Sequence, residues 1–243
     1  VCSSDLIEEL DQGINKMARR ISGLLENVRQ EKEMQHLTEL QLIQAQVNPH
    51  FLYNTLDTIV WLIEGGMTDD AVEMISSLSI FFRTSLSKGN DIIPLAEEKR
   101  HTLSYLEIQQ FRYHDILEFE LSIPKEMDVI QVPKLSIQPL AENALYHGIK
   151  NRRGKGKITI SGREEENAIV LTVSDNGQGM TPERLHEVQE SIRTGERAGF
   201  GLAAVAERIA LYYGPGYGMT ISSKEGIGTT VEIRLGKNIQ PKS

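Results

Sequence analysis

The run QVNPHFLYN contains His50, whose imidazole side chain could take part in catalysis. An imidazole has a reference pKa of about 6.5, so near pH 7 its neutral ring nitrogen can act as a nucleophile. Pro49 precedes it within a helical pattern, where a proline removes a backbone hydrogen bond at a cost of about 3 kcal/mol. Taken alone, a helical histidine is more often structural or simply exposed than catalytic.

A second group of candidate residues lies where the glycines concentrate. The turn Asp175–Gly179 follows an apolar run, and Gly199–Leu202 opens a helical pattern. A glycine-rich turn into a helix offers free backbone N–H groups to phosphate oxygens. Upstream, Asn143 is a polar residue inside a core-facing helical pattern, and a buried amide needs a partner. Either turn alone would also fit a tight loop, but three such elements in this order favour a ligand.

The composition excludes several classes of protein. The 243 residues are 40% hydrophobic and 25% charged, which fits neither intrinsic disorder nor a membrane-embedded body. A net charge of −8 argues against a nucleic-acid partner. The single cysteine, Cys2, excludes an internal disulfide framework and a cysteine-based zinc site. No glycine-lysine-serine or glycine-lysine-threonine triplet of a P-loop occurs either.

The N-terminal half predicts helices that position His50. From about Ile7 to Glu64 the only helix-breaking residues are Gly13, Gly23 and Pro49, and apolar residues recur every three or four positions over residues 14–28 before the pattern changes phase. At about 1.5 Å per residue such a helix is about 80 Å long. A static coiled-coil spacer would explain this stripe by itself. After Gly65-Gly66, a second helix is predicted from Asp69, as its cap, to Lys88. Its apolar residues are Ala71, Val72, Ile75, Leu78, Phe82 and Leu86. Two such helices form half of a four-helix bundle, which a homodimer completes.

The C-terminal half predicts a mixed α/β layer, so the fold class is α+β. A helix from Leu95 to Tyr113 lies in residues 91–116, which we interpret as the connection between the halves. Strands are predicted at Leu117–Ile123, Lys157–Ser161, Ile169–Ser174, Met219–Ser222 and Thr230–Leu235, and helices at Lys134–Tyr146, Pro182–Ile192 and Leu202–Tyr213.

These motifs resemble those of a known superfamily. Asn143-Ala144, Asp175–Gly179, Gly199–Leu202 and Gly226–Thr229 resemble the N, G1, G2 and final Gly-Thr boxes of the GHKL ATP-binding fold. That superfamily contains gyrase, a heat-shock chaperone, MutL and the histidine kinases. The run around His50 resembles the phosphoacceptor box of LytS/YesM-type sensor histidine kinases. The stretch from Asp5 to Met17 is similar to the end of a HAMP signal-relay segment.

The resemblance implies a domain order and a set of roles. Residues 1–30 end a HAMP-like helix, 31–90 form the dimerisation and phosphoacceptor hairpin, 91–116 connect, 117–236 form the GHKL (Bergerat) two-layer domain, and 237–243 are a tail. Asn143 is expected to hold Mg²⁺, and Asp175 to accept a hydrogen bond from the adenine amino group of ATP. The other expected ATP-binding residues are His147, Gly177, Gly179, Gly199, Phe200, Gly201, Leu202 and Thr229, with Thr181–Ala198 as a mobile lid.

The implied reaction is transfer of the γ-phosphoryl group of ATP to His50 and onward to an aspartate of a response regulator. GHKL hydrolases place a glutamate four residues before the metal-binding asparagine, where this chain has Pro139. Glu142 precedes Asn143 by one residue, about 100° round the helix, and is poorly placed to activate water. This favours a kinase over the two alternatives, a GHKL-type ATPase and a degenerate kinase that acts as a signalling scaffold.

The residues around these motifs leave several questions open. Phe51 follows His50, where many histidine kinases carry an acid, and the sequence does not identify the general base. Asn54, one turn on, is equally interpretable as an orienter of His50 or as an amide of the bundle interface. Ala204 stands where the family often has an asparagine, which puts phosphate contacts there in doubt.

The remaining basic residues are interpreted as surface or structural groups. The basic loop, defined as Lys150, Arg152, Arg153, Lys155 and Lys157, could meet phosphates or an acidic receiver domain, but a solvated charge run is more common. For Arg112 and Arg208, ion pairs with helix carboxylates are favoured over phosphate contacts.

The start of the chain, VCSSDL, resembles a translated sequencing adaptor and has no methionine. We therefore interpret the sequence as a fragment whose sensor and membrane spans lie upstream. The expected location is the cytoplasmic side of the cell membrane, with the membrane reached only through those upstream segments.

Overall fold

The computed structural model describes residues 49–85, 91–150, 152–194 and 201–237. Several predicted features lie outside the described residues: the expected HAMP end, residues 7–48 of the first predicted helix, Leu86, Gly199, Phe200 and all but one residue of the tail. The chain divides into two compact units, Val1–Leu52 and Tyr53–Ser243. Within the described ranges, no helix is long and apolar enough to cross a membrane.

The elements of the structure follow the predicted order. The helices are α1 (Pro49–Glu64), α2 (Thr68–Ser85), α3 (Leu95–Arg112), α4 (Gln138–Asn143), α5 (Pro182–Thr194) and α6 (Leu202–Tyr213). The strands are β1 (Ile92–Pro94), β2 (Leu117–Ser122), β3 (Gln131–Pro133), β4 (Gly156–Glu164), β5 (Ala168–Asp175), β6 (Gly218–Lys224) and β7 (Gly228–Gly236). A 3₁₀ helix (Lys125–Val129) and a π-helix (Ala144–Ile149) complete the set.

Helices α1 and α2 are joined by the predicted glycine pair. Gly66 has a φ of 75°, a backbone conformation that glycine adopts without steric cost. Helix α2 begins at Thr68, one residue before the expected cap, and Asp69 and Asp70 lie in its first turn. Carboxylates there are favoured by the positive end of the helix dipole.

The buried face of α2 differs from the predicted apolar stripe. Its buried residues are Ala71, Met74, Ser77, Leu78, Phe81 and Ser85. Val72 and Ile75, which we assigned to the stripe, are 61% and 48% exposed. The reason is the neighbour: α2 packs against α3, where Phe81 stacks on His101 and Ser77 donates a hydrogen bond to Glu107. Small polar residues therefore replace apolar ones along the contact.

Helix α3 is buried on most of its circumference. Beside two leucines, a tyrosine and an isoleucine it buries Glu98, His101, Thr102, Ser104 and Gln109. It contacts α2, α4, β2 and the 3₁₀ helix, and the preceding strand β1 pairs antiparallel with β3. Residues 91–116 are thus a packed part of the fold as well as a connection.

The five predicted strands form one sheet in the order β2-β4-β5-β7-β6. Strands β2 and β4 are parallel and the other pairs are antiparallel. Helices α5 and α6 and the π-helix pack on the sheet. The structure extends β4 to β7 beyond their predicted ends and adds the β1-β3 pair, which the sequence analysis did not predict.

The predicted helix Lys134–Tyr146 is correct only in part. Residues 134–137 form a turn in which Leu135 has a φ of 60°, and α4 begins at Gln138. After Asn143 the chain continues as the π-helix. Pro139 lies in the first turn of α4, which a proline tolerates.

The contact between α2 and α3 gives a test of the observed packing. Phe81 is buried, and its ring centroid lies 4.6 Å from that of His101. Replacing Phe81 by alanine leaves a cavity, so Phe81→Ala is expected to lower the free energy of unfolding by about 3 kcal/mol in chemical denaturation. Glu73→Ala, at an exposed position of the same helix, should change it by less than about 0.5 kcal/mol. Equal effects would contradict the observed orientation of α2.

Candidate functional site

A cavity of about 560 Å³ lies beside the ends of β5 and β7 and has the size of a small-molecule pocket. Its walls come from α4, the π-helix, the turn after β5, and helices α5 and α6. Six residues expected to bind ATP line it: Asn143, His147, Asp175, Gly179, Leu202 and Thr229. Gly177 and Gly201 do not line it, and Gly199 and Phe200 lie outside the described residues.

Asp175 ends β5 and directs a buried carboxyl group to the cavity. It is 8% exposed, and its Oδ1 accepts a hydrogen bond from the Gly177 backbone N–H at 2.8 Å. Burial raises the pKa of this carboxyl from 3.8 to about 6, although hydrogen bonds from the backbone of Gly177 and Thr229 oppose the shift. Near pH 7 the carboxyl group is therefore mostly ionised and can accept a hydrogen bond.

Three glycines around the cavity allow close packing: Gly148 against the Asp175 carboxyl, Gly228 against the Asp175 backbone, and Gly179 against the Lys224 backbone. A Cβ on Gly148 would lie 2.6 Å from Asp175 Cγ, and one on Gly228 would lie 2.9 Å from the backbone carbon of Asp175. A Cβ on Gly179, whose φ is 66°, would lie 2.6 Å from the backbone carbon of Lys224. The sequence analysis gave no role to Gly148 or Gly228, although a glycine inside a helical pattern next to His147 was a usable signal.

Asn143 is the last residue of α4 and lines the cavity. Its amide nitrogen donates a hydrogen bond of 2.7 Å to the Pro139 carbonyl. The amide oxygen is the remaining acceptor of this side chain, and a neutral oxygen is a suitable ligand for Mg²⁺. No group of three or more acidic, histidine or cysteine side chains that could hold a metal occurs among the described residues. A metal here would rely on Asn143 together with oxygens of a bound phosphate ligand.

The acid beside Asn143 points elsewhere, as the helical geometry predicts. Glu142 does not line the cavity; it accepts a hydrogen bond from Gln138 at 3.1 Å. Burial raises the pKa of Glu142. On α4, therefore, no carboxylate lines the cavity.

The side of the cavity formed by α5 contributes a cation that the sequence analysis missed. Arg184 lines the cavity and forms an ion pair of 2.5 Å with Glu187. Burial, and to a smaller degree the charge of Arg184, lowers the pKa of His147. Arg184 lies in the expected lid, shortly after the G1 turn. Its position in the sequence was therefore a usable signal of a cation near the cavity.

Most of the other basic residues have partners away from the cavity. Lys150 lies over the rings of Tyr146 and Tyr113, and Arg152 donates to the Asn176 carbonyl. Lys155 and Lys157 pair with Glu118 and Glu120. Arg112 lies over the ring of Tyr113. Arg208 donates a hydrogen bond to the Lys134 carbonyl and so holds the turn before α4.

His50 is the second residue of α1 and is exposed. It belongs to the first compact unit, while the cavity belongs to the second. Asn54 is half-buried, and its amide nitrogen has no hydrogen-bond partner among the described residues. Both interpretations of Asn54 stay open.

The chain matches two family models. Residues 38–117 match the model described as histidine kinase, and residues 133–239 match the model described as histidine kinase-, DNA gyrase B-, and HSP90-like ATPase. The fold is thus a helical part followed by a mixed α/β ATPase domain of the GHKL type.

Curated relatives carry related names. The chain is 36% identical to the sensor histidine kinase YesM of Bacillus subtilis over 93% of its length, which is 38% of that protein. It is 30% identical to the sensor histidine kinase BtsS of Escherichia coli and to the sensor protein LytS of Bacillus subtilis, in each case over 96% of its length and 39% of theirs. The chain spans about two fifths of the length of these relatives.

The raised pKa of Asp175 predicts a pH dependence of nucleotide binding. Only the ionised carboxylate is a pure acceptor for an amino group, so affinity for ADP should fall as the pH drops through about 6. At pH 5 about a tenth of the free protein is ionised, so binding should be about tenfold weaker than at pH 7.5.

Calorimetric titration with ADP across this range measures the effect. Asp175→Asn is the matched control. Protonation of ADP itself affects both proteins equally, so a difference between their pH profiles reports the Asp175 carboxyl. We expect the variant to bind more weakly and to lack the additional loss below pH 6. Parallel profiles for the two proteins would contradict the prediction.

The close approach at Gly148 gives a steric prediction. In Gly148→Ala the new methyl group must displace the Asp175 carboxyl, so ADP affinity should fall at least about tenfold. Gly154→Ala introduces a methyl group into open space at a φ of 85°. It should cost about 1 kcal/mol of stability and leave ADP affinity unchanged. Calorimetry and thermal unfolding of both variants test this, and normal ADP binding by Gly148→Ala would refute it.

Proposed function

Because the chain belongs to the sensor histidine kinase family, we propose that it transfers the γ-phosphoryl group of ATP to His50. The phosphoryl group then passes to an aspartate of a response regulator. The observation that carries the proposal is the presence, in one chain, of an exposed histidine in a phosphoacceptor-like run and a cavity with Asp175 and Asn143 in its wall.

The cavity residues have distinct roles in this proposal. The Asp175 carboxylate accepts a hydrogen bond from the adenine amino group, which guanine lacks at that position. The Asn143 oxygen holds Mg²⁺, and Arg184 adds positive charge near the phosphates. Bound Mg²⁺ neutralises charge on the phosphates during transfer. The protein contributes positioning and exclusion of water, since phosphoryl transfer needs little covalent chemistry from the enzyme.

The nucleophile is proposed to be His50 rather than water. A neutral ring nitrogen of His50 attacks the γ-phosphorus, the bond from that phosphorus to the β,γ-bridging oxygen breaks, and ADP leaves. The ring then loses its remaining proton to solvent. The position four residues before Asn143 is Pro139 and Glu142 lies outside the cavity wall, so α4 offers no carboxylate to activate water. This supports a kinase over a GHKL-type hydrolase.

We further propose that the chain acts as a homodimer. Large apolar side chains on α1 and α2 are 45–67% exposed. They are Tyr53, Leu56, Val60, Trp61, Ile63, Val72 and Ile75. The two helices of a second copy would cover these residues and complete a four-helix bundle.

The setting of this region in the whole protein is also a proposal. The full-length protein is expected to be anchored in the cell membrane through other segments, with this region on the cytoplasmic side. The similarity of residues 5–17 to the end of a HAMP segment and the sensor names of the relatives support it. A receiver domain is the expected protein partner.

Labelling with ATP tests the proposed reaction. Incubation with γ-labelled Mg-ATP should produce a phosphoprotein that is stable to alkali and labile to acid, and His50→Gln should abolish the label. His36→Gln, a histidine outside the phosphoacceptor-like run, is the matched control and should retain it. Label that persists in His50→Gln would refute the assignment. Phosphate release without a phosphoprotein would favour the ATPase alternative, and failure to bind Mg-ATP would favour the degenerate scaffold.

A further inference from the structure

Glu98 of α3 is a fully buried carboxylate directed at the turn before α4. It has 0% relative exposure. Its Oε1 accepts a hydrogen bond of 2.8 Å from the Ile137 N–H, and its Oε2 accepts one of 2.9 Å from the Leu135 N–H. The Gln138 N–H also points to Oε1, at 3.5 Å. Both carboxylate oxygens are therefore used by a single turn of backbone.

This turn needs an acceptor from outside. The first N–H groups of any α-helix have no partner within the helix, and a serine, threonine, aspartate or asparagine at the N-cap usually supplies one. Ile137 occupies that position in α4 and offers no side-chain hydrogen bond. The turn also holds Leu135 at a φ of 60°, which a leucine rarely adopts. Glu98 replaces the missing cap from a different helix.

The ionised form of Glu98 matches this environment. Burial raises the pKa of Glu98, while hydrogen bonds from the backbone of Ile137, Leu135, Gln138 and Ser136 lower it. Each of these backbone groups donates a hydrogen bond. Protonation of the carboxyl would set its own O–H donor against a backbone N–H donor. An anion at this end of α4 also interacts favourably with the helix dipole.

The capped end of α4 lies close to its functional end. From Gln138 to Asn143 the helix rises only about 8 Å. The amide group of Asn143 is oriented by its hydrogen bond to the carbonyl of Pro139, which lies in the first turn. A shift of that turn therefore moves both the backbone of Asn143 and the carbonyl that sets the direction of its side chain.

We propose that Glu98 is a positioning residue for the metal-binding end of α4. By holding the N–H groups of Leu135 and Ile137, it fixes where Asn143 presents its amide oxygen to Mg²⁺. The inference rests on the proposed role of Asn143. It adds Glu98, which lies on a helix outside the cavity wall, as a residue that this role requires.

The other contacts of the same turn support a fixed position. Lys134, which precedes Leu135, donates from its side chain to the Ser85 carbonyl at the end of α2, at 2.6 Å. Its own carbonyl accepts from Arg208 of α6. The turn is thus attached to three helices, and within the described part of the chain Glu98 is the side chain that binds the N–H groups leading into α4.

Calorimetric titration with ADP, in excess Mg²⁺ and in excess EDTA, tests the proposal without using kinase activity. Glu98→Gln places an amide N–H₂ against a backbone N–H and so removes one acceptor. We expect ADP affinity in EDTA to stay within about twofold of the unsubstituted protein. The enhancement by Mg²⁺ should fall about tenfold or more, as for other supporting residues of metal sites. Amide hydrogen exchange at Leu135 and Ile137 should accelerate.

Two variants serve as references in the same titrations. Leu106→Ala removes a buried apolar side chain from α3 and destabilises the fold without removing a hydrogen bond from the turn. It should keep the Mg²⁺ enhancement. Asn143→Ala should lose the enhancement, because it removes the proposed ligand itself. If Glu98→Gln does not fold, Glu98→Asp, which keeps the charge but shortens the side chain, should show an intermediate loss.

The outcomes separate this proposal from the proposed function. A normal Mg²⁺ enhancement in Glu98→Gln or Glu98→Asp, or an equal loss in Leu106→Ala, would overturn the positioning role. A normal enhancement in Asn143→Ala would overturn it as well, since nothing would then need positioning. A protein that shows all the expected binding changes but no phosphohistidine would leave Glu98 as a positioning residue of a nucleotide site and would refute only the kinase reaction.

Discussion

The candidate site depends on placing the ionisable carboxyl of Asp175 in a buried position while leaving it accessible to a ligand. Burial disfavours its charge, as the raised pKa records, and backbone N–H groups partly offset this. The absence of a side chain at Gly148 lets its backbone pack against the carboxyl, and the absence of one at Gly228 lets the chain pass close to the Asp175 backbone. The antiparallel register that pairs Asp175 with Thr229 completes the arrangement. Sheet pairing, glycine positions and cavity shape therefore all determine how the Asp175 carboxyl is presented to the cavity.

The π-helix packs against the Asp175 carboxyl group. A π-helix is rare and commonly marks a functional site. Here it begins directly after Asn143, and His147 and Gly148 within it line the cavity. The helix thus brings a candidate metal ligand and a close backbone contact to one surface. Gln178, in the turn after β5, donates to the His147 carbonyl and ties that surface to the strand that carries Asp175.

The sequence predicted the parts of the site that local patterns encode. The five strands and helices α5 and α6 lie close to their predicted positions, and Asn143, Asp175 and Thr229, which a family resemblance identified as binding residues, line the cavity. Gly148 was missed because its contact, Asp175, lies 27 residues further along the chain. The burial of Ser77 on α2 was also missed, because it depends on the polar partner that α3 presents to it. Contacts between distant segments decide such features, and a periodicity within one helix does not contain them.

Two buried acids show how environment separates a binding group from a supporting one. Asp175 and Glu98 both accept hydrogen bonds from backbone N–H groups, and burial raises the pKa of both. Asp175 lines a cavity, so part of its acceptor capacity can serve a ligand. Glu98 has no exposed surface, and both of its oxygens accept from one turn. The same carboxyl chemistry is therefore available to a ligand at Asp175 and is used up by the backbone of one turn at Glu98.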